Sequence, residues 1–370
     1  MIQALSPQLK LWRYRIFAST WLCYAGFYFA RKPFSIVKKD LGDALGWSAY
    51  DLGLIGSVYL IAYAIGQFIA GSMGTKYGAR RLLLAGMAAS VLANVVFGMT
   101  NSVFTFCVFM AVNGLGQATG WSGTVATMAA WLRRSERGTV MGVWGTCFSV
   151  GGTLANILAA YLLGAYGYQY SFFGGSLILT VALVFFVFNQ RNRPEDVGLE
   201  LDGPDSESTA ETDGDEVERN ADAGWLDRVG WSRSTLNTVL LIGSFYFFVK
   251  FIRYALWSWV PYFLSTNYGL RGDDAGYIST LFDIFGIAGC IVCGIISDRM
   301  MSGRRAKISF IFLLALCAST VFMFVTAQVS LTFFAISISA VGFSLYGPDA
   351  LMTGAAAQDV GGKGTAMAAG

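Results

Sequence analysis

Apolar residues in this chain gather in runs of about 20, the length at which a helix crosses the hydrocarbon core of a bilayer. Ten such runs are read, at 14–36, 52–73, 82–100, 103–130, 139–163, 172–189, 236–265, 276–297, 308–327 and 330–356. An eleventh begins near Gly364 and stops at Gly370, so the expectation is a chain truncated within its eleventh helix, with its last two helices mostly missing. Only 13% of the residues are charged and 55% are hydrophobic, where a soluble domain carries ~25% charged residues. The fold expected is therefore an all-α polytopic membrane protein. Small residues scattered through the runs suit close helix packing in lipid. The start, MIQALSPQLKLWRYR, has no small-residue cleavage site before a short apolar core, so no removable signal peptide is read.

Several kinds of chemistry are excluded. The chain has no histidine, which removes Ser-His-Asp and Cys-His catalysis and most zinc sites. Its six cysteines all fall in apolar runs. Cys290-x-x-Cys293 has redox or metal spacing but no partner pair, and reads as small residues packing in a helix. Gly361-Gly-Lys363-Gly-Thr365 lacks phosphate-loop spacing. Gly114-Leu-Gly116-Gln-Ala-Thr-Gly120 follows no strand and reads as close helix packing. No enzyme, cofactor, metal or nucleic-acid partner is expected. Movement of a solute would be driven by a gradient or by exchange, not by ATP.

Two arginines stand inside this apolar frame. Arg31 ends Tyr24-Ala-Gly-Phe-Tyr-Phe-Ala-Arg31, and Arg253 closes Lys250-Phe-Ile-Arg253, 222 residues later. An arginine at membrane depth costs at least ~2.5 kcal/mol, so it faces a wet cavity and has a function. A second repeat runs at nearly the same offset. Gly71-Ser-Met-Gly-Thr-Lys-Tyr-Gly-Ala-Arg80-Arg81 follows the second span, and Gly294-Ile-Ile-Ser-Asp298-Arg299 with Gly303-Arg304-Arg305 follows the eighth, 223 residues on. Two parallel six-helix halves joined by a long loop resemble the major facilitator architecture. Arg80, Arg81, Asp298 and Arg299 are then expected to form its gating ion pairs. Thr75 stands where that signature usually carries an aspartate.

The halves are placed at 1–193 and 234–370, with an acidic linker at 194–233 containing LDGPDSESTAETDGDEVERNADAG. That composition cannot bury enough apolar surface to order itself, so a dispensable, flexible spacer is expected. With the N-terminus in the cytoplasm, 19 Lys and Arg residues fall inside and three, Lys38, Lys39 and Arg271, outside. The positive-inside rule supports that orientation.

A phosphate offers oxygens that arginine meets bidentately while staying charged at any relevant pH. Arg31 and Arg253 facing one cleft would clamp such an anion. Alternatively, each pairs with an intramembrane acid, Asp283 or Asp349, and locks helices together. Tyr24, Tyr28 and Arg31 share one helix face, and Tyr63 and Gln67 sit four apart in the second span. Such hydroxyls and amides orient a polar substrate.

Several motifs complete the reading. Tyr28-Phe-Ala-Arg31-Lys32, Asn113-Gly-Leu-Gly-Gln117 with Gly120-Trp121, Arg137-Gly138 with Trp144, Gly151-Gly152, Arg193-Pro-Glu-Asp-Val-Gly-Leu199, Arg253-Tyr254 and Tyr346-Gly-Pro348 span essentially the whole chain. In these the chain resembles the organophosphate:phosphate antiporters, the family of glycerol-3-phosphate and hexose-phosphate transporters. The resemblance implies exchange of inorganic phosphate for an organic phosphate by rocking of the two halves. It implies phosphate between Arg31 and Arg253, with Lys32, Tyr24, Tyr28, Tyr63, Trp121, Trp144 and Tyr346 lining the cavity. Asp283 falls where the glycerol-3-phosphate transporters carry a glutamate. The sequence departs from the family at Gln67, where many members carry a lysine. It departs again at Gly145, Phe148 and Ser149, where a Trp-Asn-x-x-His-Asn motif is common. Losing that histidine argues against glycerol 3-phosphate itself and makes room for a larger or more apolar substrate. Lys250 either restores the charge lost at Gln67 or pairs with Asp283.

The expectation is a monomer in a bacterial inner membrane, with a phosphate ester, inorganic phosphate and the bilayer as its partners. Two rivals stay open at this level. One is a membrane sensor of external sugar phosphate that signals to a kinase. The other is a transporter of a non-phosphorylated organic anion.

Overall fold

The computed structural model describes residues 6–199, 233–300 and 305–350, and every long element in them is a helix. The first half holds α1 (Pro7–Phe29), α2 (Pro33–Leu45), α3 (Ala49–Tyr77), α4 (Ala79–Met99), α5 (Val103–Trp131), α6 (Arg134–Trp144), α7 (Thr146–Tyr166) and α8 (Tyr168–Asn189). A short 3-10 turn, Pro194–Val197, follows. The second half holds α9 (Arg233–Tyr268), α10 (Gly272–Met300), α11 (Arg305–Thr326) and α12 (Leu331–Ala350). Residues 200–232 of the linker read at 194–233 and the span read from Gly364 lie outside the described residues, as do the side chains of Thr75, Asp298 and Arg299.

Helix ends follow local chemistry. Ser6 Oγ accepts from Leu9 N at 3.2 Å ahead of Pro7, satisfying one of the orphan donors of the first turn. Ser48 and Asp51 form a reciprocal capping box at the start of α3. Gly78 (φ +80°) and Gly167 (φ +98°) are single-residue corners joining α3 to α4 and α7 to α8. A side chain at either would be strained.

Eight of the described spans are long and apolar enough to cross a bilayer. Neither α1 nor α9, the helices that open the two halves and carry the charged residues, is among them. The first expected span, 14–36, is divided. It stops at Phe29 and restarts at Pro33 as α2, because Pro33 has no N–H to donate to the carbonyl four residues earlier.

The described residues fall into two compact units. One comprises α1–α8 with Pro261–Tyr277; the other comprises the rest of α9 and α10 with α11 and α12. In the first, α5 packs against α3 and α4, and α1 packs against α5, α7 and α8. The Gly114-Leu-Gly116 motif performs this packing. A Cβ on Gly114 would stand 2.6 Å from the Tyr59 carbonyl of α3, and one on Gly116 would stand 2.8 Å from the Gly86 carbonyl of α4. In the second unit a Cβ on Gly342 of α12 would meet the Phe282 carbonyl of α10 at 2.2 Å. Cys293 is fully buried and lies against Gly347, in keeping with its reading as a packing residue.

Candidate functional site

The interruption between α1 and α2 builds the first part of the site. The helix break leaves the Ala30 carbonyl to side-chain donors. Asn94 Nδ2 donates to it at 2.9 Å and Asn113 Nδ2 at 3.1 Å. An unsatisfied carbonyl in an apolar surrounding is costly, so these two buried amides hold the break in place. Asn113→Ala should lower stability by about 1–2 kcal/mol, measured as a drop in the melting temperature of the detergent-solubilised protein.

Asn113 also aims its neighbour one turn on. Its Oδ1 accepts from Gln117 Nε2 at 3.0 Å. That turns the Gln117 carbonyl oxygen toward Arg31, whose Nε donates to it at 2.7 Å, while the Tyr59 hydroxyl donates to it at 3.1 Å. The Arg31 guanidinium lies 5.0 Å from the ring centre of Tyr63, 5.1 Å from Tyr28 and 5.9 Å from Tyr59. These are cation–π distances. Arg31 is 8% exposed. The result is a buried cation with a fixed plane, caged by three tyrosines.

A second layer of aromatic rings adjoins the cage. Tyr24 lies 5.9 Å from Tyr28, 5.6 Å from Trp121 and 5.7 Å from Trp144. Trp144 is fully buried and its Nε1 donates to Thr20 Oγ1 at 3.1 Å. Trp121 is exposed. Lys32, buried at the start of α2, runs along Gly152 of α7 beside Tyr28. Gln67 is half-buried one turn beyond Tyr63 in α3. Tyr24, Tyr28, Arg31, Lys32, Tyr63, Trp121 and Trp144 are thus brought together. Sequence reasoning did not place Tyr59, Asn113 and Gln117 in the site. The signal was present, since Asn113 and Gln117 are amides four apart inside an apolar run, where polar residues are functional by default.

In the second unit, Asp349 Oδ2 accepts from Lys250 Nζ at 3.0 Å and from Arg253 at 2.5 Å. The Arg253 guanidinium lies 4.1 Å from the Tyr346 ring centre, and the Tyr346 hydroxyl donates to Asp283. Lys250 also lies over Tyr246 at 4.7 Å. Lys250 forms an ion pair with Asp349, an acid that the two sequence alternatives for Lys250, restored charge or an Asp283 pair, did not name. Asp283 is buried and accepts from the Tyr346 hydroxyl. The physical reason is reach. Lys250 and Arg253 lie one turn apart on α9 and converge on a single carboxylate that follows Pro348 in α12.

Of the residues read as gating pairs, Arg80 and Arg81 have described side chains. Arg80 donates to the Val187 carbonyl at 2.7 Å, and its own N–H donates to Asn192 Oδ1 at 2.8 Å. It therefore ties α4 to the last turn of α8. Arg81 is exposed. In the nearby 3-10 turn, Asp196 Oδ2 accepts from the backbone of Asn192 and Arg193, and Val197 and Leu199 pack on a core that includes Leu9 and Trp131. Arg13 pairs with Glu136, joining α1 to α6.

Comparison with known proteins gives a consistent result. A profile of the Major Facilitator Superfamily matches residues 20–370. Over 372 residues the chain is 29% identical to a probable hexose phosphate transport protein of Chlamydia muridarum (strain MoPn / Nigg), covering 98% of this chain and 81% of that one. It is 32% identical to putative glycerol-3-phosphate transporter 2 of Arabidopsis thaliana, covering 95% and 74% respectively. Among solved structures, a bacterial homolog of the human lysosomal transporter Spinster, inward-facing and unoccupied, matches with TM-score 0.73 at 15% identity, over 99% of this chain and 78% of that one. At that identity the likeness concerns the fold.

Proposed function

Because the chain belongs to the major facilitator superfamily, and within it to the organophosphate:phosphate antiporters, we propose that it exchanges inorganic phosphate for an organic phosphate by alternating access. It is a multi-pass membrane transporter, not an enzyme. The sugar phosphates and glycerol phosphates named for its relatives define the substrate class.

The observation that carries this reading is Arg31, a buried guanidinium held by Gln117 among Tyr28, Tyr59 and Tyr63. A phosphate leaving water for a low-dielectric site loses hydration that only charge and hydrogen bonds replace. A planar cation with a fixed orientation supplies both. Arg253, in the corresponding place of the second half, supplies the second guanidinium, and Lys32 and Lys250 add charge. Tyr24, Trp121, Trp144 and Tyr346 offer ring faces to the organic part of the substrate. We read the protein as a monomer in a bacterial inner membrane, and the 19-to-3 division of basic residues supports a cytoplasmic N-terminus.

Phosphate counterflow in proteoliposomes, competed by a panel of organic phosphates and carboxylates, tests the reading. Trans-stimulated phosphate uptake that a sugar or glycerol phosphate competes is the expected result. Preferred exchange of a carboxylate would make the cargo a non-phosphorylated anion. Binding of a sugar phosphate without any counterflow would make the protein a sensor.

A further inference from the structure

The two arginines are held by chemically different partners. In the first half the acceptor on Arg31 Nε is the neutral carbonyl oxygen of Gln117. In the second half a carboxylate takes that place, and one oxygen of it, Asp349 Oδ2, receives both Lys250 and Arg253. That oxygen lies in the fork between two cations, where an oxygen of a bound phosphate would also have to lie. The side chain of Asp349 is 6% exposed, whereas those of Lys250 and Arg253 are 23% and 15% exposed. The cations are therefore more accessible than the acid that neutralises them.

We infer that Asp349 is an internal competitor for the transported anion, a carboxylate that neutralises Lys250 and Arg253 between substrates and yields its place to a phosphate oxygen when substrate binds. This rests on the phosphate-exchange reading and adds a residue that tunes affinity within it. Two half-buried cations one turn apart repel each other and need a counter-ion whenever substrate is away. Asp349 supplies such a counter-ion to both, on a single oxygen. The competition weakens binding in proportion, and a carrier that must release its cargo on the far side needs that weakening. The position suits the exchange. Asp349 directly follows Pro348 within α12. A proline there removes the main-chain hydrogen bond to the carbonyl of Ser344, so the turn bearing the carboxylate is held less firmly than an unbroken turn. Asp283, the other acid nearby, is engaged by the Tyr346 hydroxyl beneath the Arg253 guanidinium. It supports the platform on which Arg253 rests.

The test is exchange of inorganic phosphate in proteoliposomes by the wild type, Asp349→Asn, Asp349→Glu, Lys250→Gln and the double variant Lys250→Gln/Asp349→Asn. Asp349→Asn keeps size and hydrogen bonding but removes the competing charge. Its KM for phosphate should fall by about ten-fold, and its maximal exchange rate should fall by a similar factor because release is slowed. Asp349→Glu keeps the competing charge and should show no such fall in KM. Lys250→Gln should raise KM, and adding Asp349→Asn to it should lower KM again. A residue that merely locks helices gives no such split: losing it raises KM or leaves it unchanged in folded protein, and that result overturns the inference. If Asp349→Asn does not insert, the double variant decides by the same comparison with Lys250→Gln. If neither is recovered folded while Asp349→Glu is, the carboxylate is a structural lock and the inference falls. A wild type that exchanges no phosphate overturns the transport reading and this inference with it. A wild type that exchanges phosphate, with Asp349→Asn no tighter, overturns the inference alone.

Discussion

Arg31→Lys should reduce phosphate exchange by about 30- to 100-fold, and Arg253→Lys by a comparable factor, although each variant keeps its positive charge. Lysine is a point charge on a flexible stem, whereas arginine presents a rigid planar fork. At position 31 the fork has two tasks. Its Nε is fixed on Gln117 at 2.7 Å, and its plane is set among Tyr28, Tyr59 and Tyr63. A lysine reaching Gln117 would commit to it the one nitrogen that phosphate also needs. Replacing a charge-assisted, bidentate pair of hydrogen bonds by a single ammonium hydrogen bond costs about 2–3 kcal/mol, and each ~1.4 kcal/mol is ten-fold in affinity. At position 253 the same fork holds Asp349 and rests on Tyr346 at 4.1 Å. The measurement is the initial rate of phosphate counterflow against phosphate concentration. Wild-type affinity in either lysine variant would contradict bidentate recognition.

Gln117→Glu should raise the KM for phosphate by about 30- to 100-fold with the protein still folded. The substitution is nearly isosteric and places a carboxylate where a neutral carbonyl now accepts from Arg31 and Tyr59. It converts the acceptor on Arg31 into a charged counter-ion of the kind that Arg253 has in Asp349. A unit charge ~6 Å from a bound phosphate charge opposes it by about 2–3 kcal/mol at an effective dielectric constant near 20. Gln117→Leu is the control. It removes the acceptor and the donor to Asn113 without adding charge, so it should lower stability more than it discriminates against anions. If Gln117→Glu binds phosphate as the wild type does, Arg31 is not part of the anion site.

These two expectations differ in how far the sequence anticipates them. Arg31 and Arg253 are visible as soon as the apolar runs are drawn, because a guanidinium in such a run is expensive and its 222-residue repeat is not accidental. The helices are equally visible, since periodic apolar length is a local property. Gln117 belongs to a quoted motif, but its task depends on where the carbonyl oxygen of its amide points, and Asn113 decides that. The division of the first span at Pro33 was readable in principle from the proline alone, yet the apolar run continues through it and conceals the break.

The sequence by itself determined an all-helical membrane protein of the major facilitator kind, its two arginines, and the phosphate-exchange family that its motifs resemble. The helices and the arginines follow from composition and run length; the family follows from the resemblance of its motifs. Only the tertiary structure decided the partners. Asn94 and Asn113 converge on the Ala30 carbonyl across 64 and 83 residues. Gln117 reaches Arg31 across 86, and Asp349 takes both Lys250 and Arg253 across nearly 100. Each choice depends on a helix crossing. Glycines such as Gly114 and Gly116 set such crossings by letting one backbone approach another. A sequence shows which helices can pack closely, but which side chains meet depends on how each helix is turned about its axis, and that is settled only when all of them pack together.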